Sequence, residues 1–303
     1  MKKEYTVAIV GVTGLVGSHF ISILDELDLP LKTIRVFASK KSKGKKIFYK
    51  GDTYIVEELE GTSLIGIDYA LFSAGQEVAK KYIPIFVENG IKVIDNSSYF
   101  RMDDNVPLVV PEVNFDDNVL QKMIISNPNC STIQCMPPLH LIDLKYHLKR
   151  VFYSTYQSVS GSGQKGIFDL QSALEGYPFE FYEVDISKEC YPLIGKINQD
   201  GYSEEENKMI NETRKILNIN NLDVEATCVR VPILYGHGVS VIFETEQEID
   251  FEELKNSFNN ISSVKYHEKI IFPADITKDN DIHIMRLRIS KNNKKTSKRY
   301  YSR

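Results

Sequence analysis

The chain has 303 residues, of which 42% are hydrophobic and 26% charged, and its formal net charge is −4. This composition is typical of a globular protein of one or two domains, and its slight acidic excess gives no reason to expect a nucleic-acid partner. No apolar run approaches the roughly 20 residues that a membrane helix needs, and the N-terminus lacks a secretory pattern. We therefore expect a cytoplasmic protein without a membrane partner.

The cysteines bear on redox state and metal binding. No CxxC pair occurs and the spacings match no zinc site, so we expect free thiols and no metal. A cysteine in a reducing compartment is most often a small buried side chain. This plain interpretation applies at first to every cysteine, including the one in the segment SNPNCSTIQC: Cys130, Cys135, Cys190 and Cys228.

The first patterned segment is YTVAIVGVTGLVGSHFISILDEL at residues 5–27. Residues 7–10 form an apolar run typical of a buried parallel strand, and apolar residues recur at helical spacing from Leu15 onward. Between them, Gly11, Gly14 and Gly17 have GxxGxxG spacing. Strand, glycine turn and helix in this order predict a cradle for a dinucleotide pyrophosphate, because backbone amides and a helix N-terminus favour an anion. A tight turn without a ligand is the alternative.

The second predicted strand, KTIRVFAS at residues 32–39, indicates the type of dinucleotide. Folds selective for NAD usually end this strand with an acidic residue that binds the ribose 2′-hydroxyl. Here the strand runs into KKSK at residues 40–43, without an acid. The missing acid and the positive charge favour the 2′-phosphate of NADP, and an ordinary solvated basic loop is the alternative.

Strands and helices continue to alternate through IDYALFSAG, EVAKKYIPIFVENG and IKVIDNSS. This alternation predicts an α/β fold with a doubly wound, Rossmann-type parallel sheet over residues 1–128. Ligands bind at the carboxyl ends of such strands. Small or polar residues lie at these ends: Ser73, Ala74, Gly75 and Asn96.

Longer strands and fewer crossovers after residue 128 predict a second, α+β domain over residues 129–290, with a mixed or antiparallel sheet. We expect a strand in LKRVFYSTYQ, a helix in SEEENKMINETRKILN, and two strands around a turn at residues 236–238. Pro137 and Pro138 are expected to interrupt the helix after Cys130. The segment KNNKKTSKRYYSR at residues 291–303 has six basic residues and no acid, so we expect a disordered basic tail.

Several side chains of the second half suit one reaction at an acyl carbon. A Cys130 thiolate at a helix start would be a nucleophile, and His237 between two glycines would transfer protons. Arg230 near a strand end would bind a carboxylate with two hydrogen bonds, and Glu205 and Lys208 share a helix face. Taken singly, each has a plainer interpretation: a core thiol, a surface histidine, a surface ion pair and an exposed salt bridge.

In combination, these segments resemble aspartate-β-semialdehyde dehydrogenases. The matching stretches follow the order of that family over residues 5–245: GVTGLVG, FASKKSKGKK, FSAG, IDNSSYFRMDDNVPLVVPEVN, SNPNCSTIQ, TYQSVSGSGQKG, EEENKMINETRKIL and RVPILYGHG. NPNCSTIQ is close to specific. N-acetyl-γ-glutamyl-phosphate reductases, which use related chemistry, have a different sequence around their cysteine.

The resemblance implies a reaction. It is the NADP-dependent reductive dephosphorylation of L-aspartyl-β-phosphate to L-aspartate-β-semialdehyde, through a cysteine thioester, in lysine, threonine and methionine biosynthesis. Cys130 would be the nucleophile, His237 the general acid/base, and Gln157 would orient the intermediate.

The resemblance also implies the binding residues. Arg230 would bind the substrate α-carboxylate and Glu205 its α-amino group, while Arg101, Asn129 and Lys208 would hold the phosphate. The NADP site would be lined by Gly11, Thr13, Gly14, Val16, Gly17, Ser39, Lys41, Ser42, Ser73 and Gly75. Members of the family form homodimers or homotetramers through the second, catalytic domain, so we expect the same here.

The end of the sequence departs from the family pattern. The family continues into another strand and a helix that helps to line the nicotinamide pocket, and this helix is missing here, so cofactor binding is expected to suffer. Two alternatives stay open: a related acyl-phosphate or acyl-CoA reductase, and a non-catalytic relative that binds nucleotide or partner proteins. Glu205 argues for an amino-acid substrate and Lys208 for a phosphate. Against the non-catalytic alternative stand Cys130, Gln157, Arg230 and His237, whereas the missing helix favours it.

Overall fold

The computed structural model describes residues 4–276, 279–291 and 296–302. Its strands are β1 (Tyr5–Val10), β2 (Leu31–Ala38), β3 (Lys46–Tyr49), β4 (Asp52–Ile55), β5 (Glu57–Glu58), β6 (Tyr69–Phe72), β7 (Lys92–Asp95), β8 (Ile124–Ser126), β9 (Leu148–Gln157), β10 (Asp223–Arg230), β11 (His237–Thr245), β12 (Val264–His267), β13 (Ile282–Ile289) and β14 (Thr296–Ser302). Its helices are α1 (Leu15–Glu26), α2 (Gln76–Glu88), α3 (Pro111–Asn114), α4 (Asp117–Gln121), α5 (Cys130–Ile133), α6 (Met136–Tyr146), α7 (Gln164–Leu174), α8 (Glu204–Leu217) and α9 (Phe251–Phe258).

The chain divides into two compact units. The first comprises residues 1–109 and 115–128, and the second residues 110–114 and 129–303. The short helix α3 belongs to the second unit because it contacts α6 and α8, and Asn114 Nδ2 donates to the carbonyl of Ile216 at 3.5 Å. This exchange of five residues is a long-range packing effect that the predicted division at residue 128 did not include.

The first unit is built on a parallel sheet with the strand order β5-β2-β1-β6-β7-β8. Successive residues of β1 point to opposite faces, as in any strand. Val7 and Ile9 join a buried cluster with Leu24 of α1, whereas Ala8 and Val10 join another with Ile83 of α2. Helices therefore cover both faces of β1, and this confirms the predicted doubly wound parallel sheet.

The second unit is built on a mixed sheet with the order β10-β9-β11-β14-β13-β12. β9 and β10 run parallel, as do β12 and β13, and the remaining neighbours are antiparallel. The mixed sheet agrees with the α+β pattern expected for this half. No helix in the described ranges is long and apolar enough to cross a membrane.

The prediction of a disordered tail is wrong for residues 296–302. They form β14, which pairs with β11 on one side and β13 on the other, so that Tyr300 lies opposite both Ser240 and Met285. The prediction weighed only the basic, polar composition. An inner strand is held by backbone hydrogen bonds to two neighbours, and composition does not report those. Residues 292–295 and 303 of the predicted tail lie outside the described residues.

The residues after Cys130 form two helices, as the prolines suggested. α5 ends at Ile133, and α6 begins at Met136 with Pro137 and Pro138 in its first turn. Proline is tolerated there because first-turn amides have no partner within the helix. Cys130 therefore begins a separate one-turn helix.

Candidate active site

The centre of the second unit's sheet brings together three residues that are distant in sequence. Gln157 ends β9, and it is the register partner of Arg230 on β10 and of His237 on β11. Register partners on adjacent strands project to the same face of a sheet. All three side chains are buried, which gives a polar cluster at the carboxyl ends of β9 and β10.

Cys130 and His237 form a close pair. Cys130 is the first residue of α5 and is exposed, and its Sγ lies 3.2 Å from His237 Nε2. The plain interpretation of His237 as a surface-loop residue is wrong, because it begins β11 and is 8% exposed. The predicted turn therefore ends at Gly236, whose φ of +82° lies in the region that glycine adopts readily.

The surroundings of His237 favour its neutral form. Burial, followed by the positive charge of Arg230, lowers the pKa of His237 from its usual 6.5 to about 4. The main-chain N–H of Ser158 donates to Nδ1 at 3.0 Å. An N–H can only donate, so Nδ1 carries no proton in this bond.

Cys135 and Cys228 are buried, unlike Cys130, and burial makes their thiols less reactive. It raises the pKa of Cys135 well above its usual range and that of Cys228 to about 12. Such thiols form little of the thiolate that attacks carbon. Cys190 is exposed like Cys130, but among the described residues it has no histidine contact. The geometry therefore favours Cys130 as the reactive thiol.

Asn129 holds the start of the cysteine helix. Its Oδ1 accepts from the amides of Ser131 at 2.9 Å and Thr132 at 3.3 Å, an N-cap of the usual kind. Its own main-chain N–H donates to Glu212 Oε2 at 2.6 Å, and its Nδ2 donates to Glu205 Oε1 at 2.8 Å. A side-chain amide has two hydrogens, so one remains for the predicted phosphate contact.

Glu205 and Lys208 form an ion pair of 3.2 Å at the start of α8. The plain interpretation as an exposed salt bridge is wrong, because Glu205 is only 6% exposed. Burial by itself raises the pKa of Glu205, but Lys208, the hydrogen bond from Asn129 and the charge of Arg230 outweigh it, and the net shift is downward. Glu205 is therefore a buried carboxylate that stays charged at neutral pH.

Arg230 is fixed by the main chain next to it. Its Nη1 donates to the carbonyl of Ser158 at 2.7 Å and to Gln157 Oε1 at 3.4 Å. A Cβ on Gly161 would lie 2.6 Å from Nη1, so this position has no room for a larger residue. Within the described ranges, Nη2 and Nε make no hydrogen bond, which leaves donors for a substrate carboxylate.

Sequence reasoning missed Glu212, Ser158 and Gly161. Glu212 is 1% exposed and lies seven residues after Glu205 on the buried stripe of α8, a spacing that was available as a signal. Ser158 matters because it contacts His237 and Gly161 because it lies against Arg230, and neither contact is visible in the sequence.

Arg101 belongs to the first unit, where it is buried and its Nη2 donates to the carbonyl of Asn96 at 3.0 Å. Its predicted role in phosphate binding stays a prediction.

The glycine turn of the first unit fits a dinucleotide. A Cβ on Gly11 would lie 2.4 Å from the carbonyl oxygen of Ser73, and one on Gly17 would lie 2.1 Å from that of Gly11. No side chain caps α1 at Gly14, and its first turn has no acidic residue. The first amides of α1 therefore face no competing anion, as a pyrophosphate site requires.

The loop after β2 lies beside this turn. Thr13 Oγ1 donates to Ser42 Oγ at 3.3 Å, and Ser39 and Lys41 are exposed nearby in sequence. The acids of the adjacent strand β5 are already paired: Glu57 with Arg35 at 2.6 Å and Glu58 with Lys43 at 3.5 Å. The other predicted cofactor residues, Val16 and Gly75, are also exposed.

A glycine turn that fits a dinucleotide, together with a cysteine–histidine pair, is typical of nucleotide-linked dehydrogenases that use a thiol. Residues 6–121 match the family model described as semialdehyde dehydrogenase, NAD binding domain, and residues 138–298 match semialdehyde dehydrogenase, dimerisation domain. The described residues contain no group of three or more metal-ligating side chains placed to hold a metal ion.

The individual relatives of this chain are aspartate-semialdehyde dehydrogenases. An aspartate-semialdehyde dehydrogenase of Aquifex aeolicus is 46% identical over 270 residues, covering 86% of this chain and 79% of the relative. That of Bacillus subtilis is 40% identical over 307 residues, covering 95% and 89%. The crystal structure of aspartate semialdehyde dehydrogenase II from Vibrio cholerae complexed with ASA has a TM-score of 0.94 at 36% identity, covering 99% and 93%. The chain belongs to the aspartate-semialdehyde dehydrogenase family, which confirms the resemblance.

Proposed function

We propose that this chain catalyses the NADP-dependent, reversible conversion of L-aspartyl-β-phosphate to L-aspartate-β-semialdehyde and phosphate through a thioester on Cys130. The observation that carries the proposal is the 3.2 Å contact between Cys130 Sγ and His237 Nε2. Covalent acyl transfer needs a nucleophile and an acid/base group within hydrogen-bond distance of each other.

The reaction follows from these two groups. The Cys130 thiolate attacks the acyl carbon of the aspartyl phosphate, the carbon–oxygen bond to phosphate breaks, and a thioester remains on Sγ. When bound, NADPH supplies the hydride that reduces this thioester. In this proposal, His237 gives a proton to the resulting hemithioacetal oxygen and takes it back as the carbon–sulfur bond breaks, releasing the aldehyde. General acid–base catalysis of this kind contributes about 10²–10⁴-fold.

The charges around Cys130 suit an amino-acid substrate. Arg230 offers unpaired N–H donors for an α-carboxylate, and the charged carboxylate of Glu205 can accept from an α-ammonium group. Lys208, paired with Glu205, and the remaining amide hydrogen of Asn129 are donors for phosphate. We assign Gln157 to orienting the Cys130-bound intermediate, since it lies between Arg230 and His237 in the sheet.

We propose NADP rather than NAD as the cofactor. β2 ends without an acidic residue, and Ser39, Lys41 and Ser42 follow it. A lysine near the ribose favours a 2′-phosphate by charge, whereas the nearby acids Glu57 and Glu58 are neutralised by their own partners. Lys41→Ala should weaken NADPH binding at least tenfold and leave NADH binding nearly unchanged, as measured by fluorescence titration.

We further propose a homodimer or homotetramer in the cytoplasm. The match to a dimerisation domain over residues 138–298 supports an assembly built by the second unit. A reducing compartment keeps Cys130 as the thiol that the reaction requires.

The decisive experiment is phosphate-dependent reduction of NADP⁺ with L-aspartate-β-semialdehyde, followed at 340 nm. Cys130→Ala should abolish turnover, whereas Cys190→Ala, which removes the other exposed thiol, should retain it. His237→Asn should lower kcat by roughly 10²–10⁴-fold.

Two outcomes would contradict the proposal. Turnover that survives Cys130→Ala would exclude the thioester. A folded chain that binds NADPH but turns over neither the semialdehyde nor a related acyl phosphate would favour the non-catalytic alternative.

A further inference from the structure

The ring of His237 is held in one tautomer by the residue that follows Gln157. The main-chain N–H of Ser158 donates to Nδ1 at 3.0 Å, so neutral His237 has its only ring proton on Nε2. Nε2 lies 3.2 Å from Cys130 Sγ. In this state His237 donates a hydrogen bond to sulfur and has no lone pair there to accept the thiol proton.

Turnover requires the opposite arrangement at Nδ1. When Nε2 gives its proton to the hemithioacetal oxygen, the ring stays neutral only if Nδ1 carries a proton. That Nδ1–H needs an acceptor in place of the Ser158 N–H. The Ser158 hydroxyl lies 3.2 Å from Nδ1, and its Oγ lies 2.8 Å from Ser160 Oγ.

The groups around His237 make this acceptor important. Burial of the ring, followed by the charge of Arg230, disfavours a protonated ring, while Glu205 and the backbone of Gly236 favour one. Cys130 faces Nε2 rather than Nδ1. Ser158 is fully buried, and Ser160 is half-buried, so the two hydroxyls form a short path from the ring toward solvent.

We propose that Ser158 is a positioning residue that sets the protonation state of His237. Its main-chain N–H holds the resting ring with Nε2–H toward Cys130, and its hydroxyl, linked to Ser160, delivers a proton to Nδ1 and then accepts the Nδ1–H bond. The protons balance through solvent: the Cys130 thiol loses its proton to water, and Nδ1 gains one through Ser158. The product is a thiolate–imidazolium pair, a minor state in equilibrium with the neutral resting pair. The catalytic consequence rests on the proposed function, but the protonation states do not.

Alkylation of Cys130 by iodoacetamide against pH tests the proposal without any substrate. The background is Cys190→Ala, so that the other exposed thiol does not react. Ser158→Ala removes the hydroxyl but keeps the main-chain N–H. The thiolate–imidazolium pair is a minor state of the resting enzyme, and it becomes rarer when Nδ1–H has no acceptor. Alkylation of Ser158→Ala at pH 6.5 should therefore slow about tenfold or more.

Matched variants separate this role from a structural one. Ser162→Ala removes a hydroxyl of the same turn, whose partner is Tyr182, and should leave the alkylation profile unchanged. Ser158→Thr keeps a hydroxyl and should restore part of the rate. Identical profiles for Ser158→Ala and Ser162→Ala would overturn the proposal.

Nitrogen-15 NMR of histidine-labelled enzyme reads the tautomer directly, with His237→Asn for assignment. The resting enzyme should show a protonated Nε2 and an unprotonated Nδ1, and a protonated Nδ1 at neutral pH would overturn the assignment. In the turnover assay, Ser158→Ala should lower kcat/KM in the same proportion as it lowers the alkylation rate. An enzyme without turnover that still shows the slower alkylation in Ser158→Ala would overturn the proposed function and retain the role of Ser158.

Discussion

Gly161→Ala probes how tightly the carboxylate-binding arginine is held. The added Cβ would lie 2.6 Å from Arg230 Nη1, whereas an ordinary contact begins at 3.4 Å. The guanidinium would have to move away by about 0.8 Å to restore an ordinary contact. It cannot rotate into solvent instead, because Arg230 is buried. That shift lengthens the 2.7 Å bond to the carbonyl of Ser158 beyond a good hydrogen bond and misaligns the donors meant for the substrate.

The expected effect is mainly on substrate binding. A charge-assisted hydrogen bond is worth about 1.5–3 kcal/mol, so KM for the semialdehyde should rise roughly 10–100-fold while kcat falls less. Steady-state kinetics of Gly161→Ala, Arg230→Ala and the double variant measure the coupling. If Gly161 acts through Arg230, the alanine at 161 should change nothing further once Arg230 is gone. An unchanged KM in Gly161→Ala, or an equal effect in both backgrounds, would refute this reasoning.

Three further predictions concern cofactor binding and stability. Gly17→Ala places a Cβ 2.1 Å from the carbonyl oxygen of Gly11, whereas the Cβ of Gly14→Ala would lie 3.2 Å from it. In thermal melts, Gly17→Ala should therefore lower the free energy of unfolding by about 1–3 kcal/mol more than Gly14→Ala. In binding titrations, it should also weaken NADPH binding more. His237 is neutral when folded, with its pKa lowered from 6.5 to about 4, so the unfolded state gains a proton first as pH falls and up to about 3 kcal/mol of stability is lost between those values. His237→Asn should therefore flatten the pH dependence of urea unfolding between pH 7 and pH 4, and an unchanged slope would contradict the shift. Tyr300→Pro removes a main-chain donor from the inner strand β14 and should cost about 2 kcal/mol or more in urea unfolding, whereas Tyr300→Thr keeps the donor and should cost less.

The first unit was largely predictable because its signals are local. The apolar run of β1, the glycine turn and the periodicity of α1 are each encoded within about a dozen residues. The absence of an acid at the end of β2 is also a local property. The helix predicted in SEEENKMINETRKILN is likewise a local feature, and α8 covers most of it with Met209 and Ile216 buried.

The centre of the active site was predictable in its residues but not in its geometry. Only the pairing of β9 with β10 and β11 places Gln157 beside Arg230 and His237, and strand pairing is not visible in one sequence. The burial of His237 and Glu205 follows from that pairing and from the packing of α8. Residue type alone therefore suggested that His237 and Glu205 lie at the surface, whereas the fold buries both.

β14 also sets an order in which the second unit can be completed. It follows β9 to β13 in the sequence, yet it fills the gap between β11 and β13. Until β14 is synthesised, β11 and β13 each have an unpaired edge. Such edges readily pair with a strand of another molecule. In a newly made chain, β11 and β13 can therefore pair with β14 of the same chain or with β14 of a neighbouring chain. A high local concentration of nascent chains would favour strand-exchanged assemblies.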